Sequence, residues 1–286
     1  MARARAARLS GNRLHLQDGP IDLVIEAMGA ASEVEAGYAA AARRFQTILD
    51  ELCAELPILR LPIRPGNPMP EGVAARRMWH AAAPFAGAFI TPMAAVAGAV
   101  AEEVLGAMTA AADIRRAYVN NGGDIALYLA SGEQTHIGLV DRPDRPRIYG
   151  TVSIAASQPV RGVATSGWRG RSFSLGIADA VTVLAATAAG ADAAATVIAN
   201  AVDLPGHPAI RRQPARDRDP QSDLGAIPVT VAVGALTDGE VEAALASGLA
   251  AARDCIAEGL VAAAALHLAG RTVQTGLPLL HHAKAA

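Results

Sequence analysis

Residues 160–202 read VRGVATSGWRGRSFSLGIADAVTVLAATAAGADAAATVIANAV, and the rest of the chain can be worked outward from this stretch. Residues 162–165 and 180–185 are short runs of small and apolar residues with the length of strands. Residues 192–201 are alanine-rich and are expected to be helical. Between and beside these runs lie a polar Thr165-Ser166-Gly167 turn, two closely spaced arginines (Arg169 and Arg171) and two aspartates (Asp179 and Asp192). Charged side chains buried without partners are costly, so each of these four must be solvated, paired or engaged with a ligand. A hydroxyl-bearing turn, guanidinium groups and carboxylates among apolar residues are the parts of a phosphate or metal site.

Composition narrows the class. A chain of 286 residues can bury about three quarters of the surface its unfolded form exposes, so a real core is expected. Aromatic residues make up only 3% of the sequence, so that core must be built from Val, Leu, Ile and closely packed Ala and Gly. A formal net charge of −2 supplies no electrostatic pull toward nucleic acid or an anionic membrane surface. Every alanine-rich segment is interrupted by Arg, Glu, Asp or His, which argues against a transmembrane span. Cys53 and Cys255 form neither a CxxC pair nor a Cys/His cluster, and a reducing, cytoplasmic setting fits. The arginine-rich start MARARAARL is read as a frayed basic terminus.

Outside the opening stretch the pattern is mixed. Residues 13–27 alternate apolar and polar on both sides of Asp18-Gly19-Pro20, which predicts a hairpin. Residues 32–56 take helical spacing, with Ser32 and Glu35 placed as a capping box and Phe45, Ile48, Leu49 and Leu52 on one face, until Pro57 stops the run. The proline-rich segment 57–72 is expected to be extended, either a linker or a lid carrying Arg60 and Arg64. Thr91-Pro92 reads as a cap and first turn before a small-residue helix. Residues 117–129 read as strand, tight turn and strand, and 136–140, 149–155 and 227–233 as further strands. A polar loop is expected over 205–223, a helix over 240–257, and either helix or strand over 259–273. Hairpins mixed with single helices predict an α+β fold with a largely antiparallel sheet flanked by helices, in a single domain over 1–276 followed by a tail at 277–286.

Three groups could carry chemistry. Asp192 and Thr196 are four apart, on one face at the expected first turn of their helix. They could share a hard cation such as Mg2+ through oxygen ligands, or Asp192 could simply cap the helix. Asn120-Asn121-Gly122-Gly123-Asp124 is a turn whose glycines let backbone approach a ligand, or else an ordinary hairpin turn. Thr165-Ser166-Gly167 with Arg169 and Arg171 suits phosphate oxygens, though salt bridges to the acidic segment 217–223 would explain the same arginines. His80, His136 and His207 lie far apart without metal-ligand spacing. The hallmark motifs of serine hydrolases, Walker-type nucleotidases, Rossmann dehydrogenases and zinc proteases are missing.

Taken in order, PGNPMPEG, ITPMAAVAGAVAEEVL, YVNNGGDIAL, GVATSGWRGRSFSLGIADAVTVLA, ADAAATVIANAVDLPGHP and DPQSDLG resemble the UPF0280 family, a branch of the ApbE-like superfamily, over nearly the whole chain. The better-known members of that superfamily are FAD:protein FMN transferases, which use Mg2+ to break the pyrophosphate of FAD. The resemblance implies metal-facing roles for Asp124 through its main chain and for Asp192 and Thr196 through their side chains. Thr165, Ser166 and Gly167 match the transferases' segment beside the bound nucleotide, and Asp179 stands near the family's aspartate. The Asn120, Asn121, Gly122, Gly123 turn is expected to face the ligand, with Arg169 or Arg171 holding a phosphate oxygen and Asp179 as a candidate catalytic residue. The transferases carry a His-x-x-Asp-Pro motif after their TSG segment, where this chain runs Phe173-Ser-Leu-Gly-Ile-Ala-Asp179. The expected ligands are therefore Mg2+ and FAD or a related pyrophosphate nucleotide, and the expected partners are a small molecule and, for the chain itself, a second copy. The alternatives are a flavin or small-molecule binding protein without turnover, and an enzyme of pterin-type cofactor biosynthesis.

Overall fold

In chain order, a computed structural model contains β1 (Arg5–Leu9), β2 (Arg13–Asp18), β3 (Ile21–Gly29), α1 (Ala31–Ala54), α2 (Leu56–Leu59), α3 (Val73–Ala82), α4 (Val96–Ala111), β4 (Ile114–Asn121), β5 (Asp124–Leu129), β6 (Gln134–Val140) and β7 (Ile148–Ala155). There follow β8 (Gly162–Ser166), β9 (Ala180–Ala185), α5 (Ala188–Ala201), β10 (Ile210–Pro214), β11 (Pro228–Val233), α6 (Asp238–Ala257), β12 (Ala263–Leu268), β13 (Arg271–Gly276) and β14 (His281–His282). The structure describes residues 4–142, 148–277 and 281–282. Most of the expected tail at 277–286 lies outside them. The architecture is α+β, with largely antiparallel sheet and flanking helices. The chain divides into two compact units, one formed by 1–135, 154–164 and 185–193, the other by 136–153, 165–184 and 194–286.

In the first unit β1 to β5 form an antiparallel ladder, and the start of β8 pairs with β5 through Ile125↔Val163 and Ala126↔Gly162. Period-2 patterning sorts the faces of β2 and β3. Leu14, Leu16, Ile21, Leu23, Ile25 and Ala27 are buried while their neighbours are half-exposed. Helices α1 and α4 pack on this ladder and on each other. From α1 come Val34, Tyr38, Phe45, Ile48 and Leu52; fully burying a side chain of this size is worth about 1.5–3 kcal/mol. The Tyr38 hydroxyl stays satisfied inside, accepting from Ala27 N at 3.0 Å and donating to Asn12 O at 2.8 Å. Among the described residues, Pro92–Ala111 alone is a helix long and apolar enough to cross a membrane by length and composition. Its acidic pair is partnered within the unit, Glu103 with Arg44 at 2.9 Å and Glu102 with Arg77 at 3.0 Å.

In the second unit β9, β12 and β13 are antiparallel neighbours, with Val181↔Leu266 and Leu266↔Val273 in register, and α6 packs on β12 and β13. Strands β9 and β12 are buried along their whole length, which accounts for their apolar runs without alternation. The β10–β11 hairpin and the three strands β14, β7 and β6 complete the unit.

Several local expectations are corrected. The basic start is not frayed: residues 5–9 form β1, paired with β2 through Ala7↔His15. Ser32 and Glu35 make no capping box, because α1 begins at Ala31 with Ala30 in the cap position and Glu35 instead takes Arg8. The capping box lies at α6, where Thr237 Oγ1 accepts from Glu240 N and Glu240 Oε2 accepts from Thr237 N at 2.7 Å. Strand β10 falls where loop was read, α2 stands at 56–59 inside the proline-rich run, and 259–273 resolves into β12 and β13.

Glu240 also meets His207 Nε2 at 2.9 Å, and the Thr237 N–H first and His207 second hold its carboxyl down at about 2. Thr237→Ala is expected to cost about 1 kcal/mol in urea unfolding. A carboxyl held below its unfolded value stabilises above that value and loses the contribution as pH falls through the folded one. Wild type and Glu240→Gln should therefore converge in stability as the pH is lowered from 4.5 toward 2.

Candidate functional site

Helix α5 is started by Thr187. Its Oγ1 accepts from Gly190 N at 3.1 Å and its carbonyl from Ala191 N at 3.0 Å. The helix thus begins four residues earlier than expected, Asp192 lies in its second turn, and the reading of Asp192 as the cap of its own helix is overturned. Asp192 instead serves another helix: its Oδ2 accepts the N–H of Gly98 at 3.0 Å, in the first turn of α4. The exchange runs both ways. Glu102 of α4 accepts the N–H of Ala189 in the first turn of α5 at 2.8 Å, while its other oxygen takes Arg77. Each helix thus receives, at its positive end, a carboxylate from the other, the favourable sign for a helix dipole.

That exchange requires close approach, and Gly98 provides it. A Cβ there would lie 2.3 Å from Ala188 O, so any side chain would push the two first turns apart. Asn121, 5% exposed, ties the end of β4 to the same turn by donating from Nδ2 to Ala97 O at 3.1 Å. The β4–β5 turn turns through Gly122 and Gly123 at φ 67° and 118°, conformations that favour glycine, and Asn120 Oδ1 accepts from Gly123 N at 2.8 Å. Asp124 follows directly. Burial is the main cause that pushes the Asp192 carboxyl well above the usual carboxylate range, and the charge of Asp124 adds to it; the amides of Gly98 and Ala97 act in the opposite direction. The first unit therefore brings together Asn120, Asn121, Gly122, Gly123, Asp124 and Asp192. Thr196 sits one helical turn beyond Asp192 on α5.

These donors are all oxygens. Among the described residues no group of three or more His, Cys, Asp and Glu gathers as a metal cluster. Two aspartates supplemented by a hydroxyl and main-chain oxygen fit a small hard cation that keeps several of its waters, and do not fit zinc or a thiophilic metal. Within these limits the residues suit Mg2+.

The second unit holds the other expected group. Thr165 Oγ1 lies 2.9 Å from Thr182 Oγ1 across β8 and β9. Gly167 is pressed against the backbone, where a Cβ would meet Asp179 O at 2.6 Å, and Trp168 N donates to Ala178 O at 3.0 Å. Asp179, 6% exposed, accepts from Arg169 Nε at 2.5 Å on one oxygen and from Ala269 N at 2.8 Å on the other. Arg169 is thus paired with Asp179 and not with the acidic segment 217–223. Arg171 is exposed and has no side-chain partner among the described residues. Sequence reasoning overlooked Arg77 and Glu102. A signal was present, since two glutamates in an otherwise apolar helix must find partners.

The family model described as "AbpE bacteria" matches residues 5–274, and the chain belongs to that family. Within this ApbE-like superfamily the chain falls with the UPF0280 proteins. It is 40% identical to the UPF0280 protein of Methanosphaerula palustris over 54% of this chain and 63% of that one. To the UPF0280 protein MK0206 of Methanopyrus kandleri it is 37% identical, over 59% and 66%. The chain thus spans just under two thirds of the length of these curated relatives. A likeness also extends, at 14% identity and a TM-score of 0.48, over 95% of this chain and 93% of the Pseudomonas stutzeri flavinyl transferase ApbE in its apo form.

Gly98→Ala is expected to lower stability by about 1–3 kcal/mol in denaturant unfolding, the usual cost of overpacking. Asp192→Asn keeps the shape and removes the charge. A carboxyl raised above its unfolded value stabilises below that value, and the contribution fades as pH rises through the folded one. Without divalent cations, Asp192→Asn should therefore match wild type near pH 4 and melt progressively higher than wild type as the pH rises. A gap that narrows with rising pH would contradict this.

Proposed function

We propose that this protein binds a pyrophosphate-containing nucleotide of the FAD type together with Mg2+. The side chain of Asp192 and the main chain of Asp124 would face the metal, joined by Thr196 one turn further along the same helix. The observation that carries the reading is Asp192, whose ionisation is opposed both by burial and by the charge of Asp124. A cation reverses both penalties. Membership of an ApbE-type family brings flavin into the reading. Bound Mg2+ supplies charge neutralisation for phosphate oxygens during pyrophosphate cleavage. The protein's own contribution is to hold the ligand groups in place: Glu102 and Gly98 set the first turns of α5 and α4, and Asn120 closes the Gly122-Gly123 turn. The free thiols of Cys53 and Cys255 suit a reducing cytoplasm. The partner is read as a small molecule, with FMN transfer or pyrophosphate hydrolysis as the reaction class.

Binding without turnover is favoured by a separate observation. Asp179 follows the TSG segment, the part of the chain in which the transferases carry their His-x-x-Asp-Pro motif, and both of its oxygens are engaged by Arg169 and Ala269. That leaves it poorly placed to accept a proton. A pterin-type substrate on the same scaffold has no comparable support.

Calorimetric titration with FAD, with and without MgCl2, tests the main reading. Saturable binding that needs Mg2+ and weakens at least about tenfold in Asp192→Asn, a loss of about 1.4 kcal/mol, is the expected result. Mg2+-independent binding, or equal affinity in the variant, would remove Asp192 from the metal role. Chromatography of the same mixtures for AMP separates cleavage from binding alone.

A further inference from the structure

Among the described residues, the indole Nε1–H of Trp168 is the one buried side-chain polar group without a hydrogen-bond partner. Such a group is normally satisfied in a folded protein, and one left unpaired calls for a physical explanation. Local rearrangement does not offer an easy one, because the residue is held on several sides. Its own N–H is bonded to Ala178 O at 3.0 Å. The guanidinium of Arg169 covers the indole ring with Cζ 4.2 Å from the centroid, and Arg169 is itself fixed by Asp179, which is fixed in turn by Ala269 N. Gly167 before it is packed against Asp179 O. The ring is thus held in place, and its donor has no acceptor from its own chain.

We propose that Trp168 is a ligand-reading residue whose indole N–H pairs with a ring carbonyl oxygen of a planar heterocycle, an isoalloxazine or a pterin. The chemistry selects the acceptor. The cation above the ring is already neutralised by Asp179, so the local charge is balanced. A neutral, desolvated single donor pairs with a neutral carbonyl at less cost than with a phosphate, whose charge would have to be stripped of water. Adenine has no carbonyl and would not use this donor. The inference concerns the second unit by itself and goes beyond the nucleotide-binding reading, and its readout does not depend on the metal.

The chain contains two tryptophans, so a 15N-tryptophan-labelled sample gives two indole signals, and Trp79→Phe assigns the one from Trp168. Titration with FAD, riboflavin, biopterin and ADP should move the Trp168 N–H signal and slow its exchange with water for at least one carbonyl-bearing ring and not for ADP. Trp168→Phe keeps an aromatic ring under Arg169 and removes the donor. It should weaken that ligand about threefold to tenfold, the range that one net hydrogen bond carries, without lowering the melting temperature of the free protein. FAD binding that leaves the signal unmoved, or a Trp168→Phe variant that binds with wild-type affinity, would overturn this inference and leave the nucleotide reading standing. A response to riboflavin or biopterin with no FAD binding would do the reverse. If no carbonyl-bearing ring moves the signal, or ADP moves it equally, Trp168 does not read the ring.

Discussion

The hydrogen bond from Gly98 N to the carboxylate of Asp192 is the constraint on which the first unit depends. It cannot form unless the first turns of α4 and α5 approach to backbone contact, and that approach tolerates no side chain at position 98. It also leaves the start of α5 needing an acceptor, which Glu102 provides from α4. Glu102 and Glu103 in turn draw in Arg77 and Arg44, tying α3 and α1 to the same place. The helix terminus held by this buried carboxylate thus also carries ion pairs to two further elements, α3 and α1.

The same arrangement shapes the electrostatics of Asp192. Helix amides favour its charge, but burial and Asp124 disfavour it more strongly. Glu240 behaves in the opposite way: hydrogen bonds from Thr237 and His207 lower its carboxyl, and burial opposes them only weakly.

The second unit solves a different problem, that of fixing a glycine-flanked turn. Gly167 and Trp168 lie on the backbone of residues 178 and 179, and the Arg169–Asp179 pair locks the turn onto the β12–β13 connection through Ala269. Charges that the sequence offered equally to a phosphate or to a salt bridge are thereby divided. Arg169 is spent on structure and Arg171 stays exposed.

By itself the sequence determined the α+β class, the β4–β5 turn with its paired glycines, most of the strands and the oxygen-rich character of the residues around Asp192. These follow from local rules: period-2 or unbroken apolar runs, turn chemistry, and the spacing of side chains along a helix. It also carried the family, through long ordered motifs. Only the tertiary structure decided which donors each charge meets. Asp192 looks like a cap for its own helix until Thr187 is seen to fill that role, and Ser32 looks like a cap until α1 is seen to begin before it. The partners of Asp192, Glu102 and Asp179 lie between 87 and 94 residues away for Gly98, Ala189 and Ala269, and no local pattern encodes a contact at that separation. The unpaired indole of Trp168 is of the same kind, because a missing partner becomes visible only once every other atom has its place.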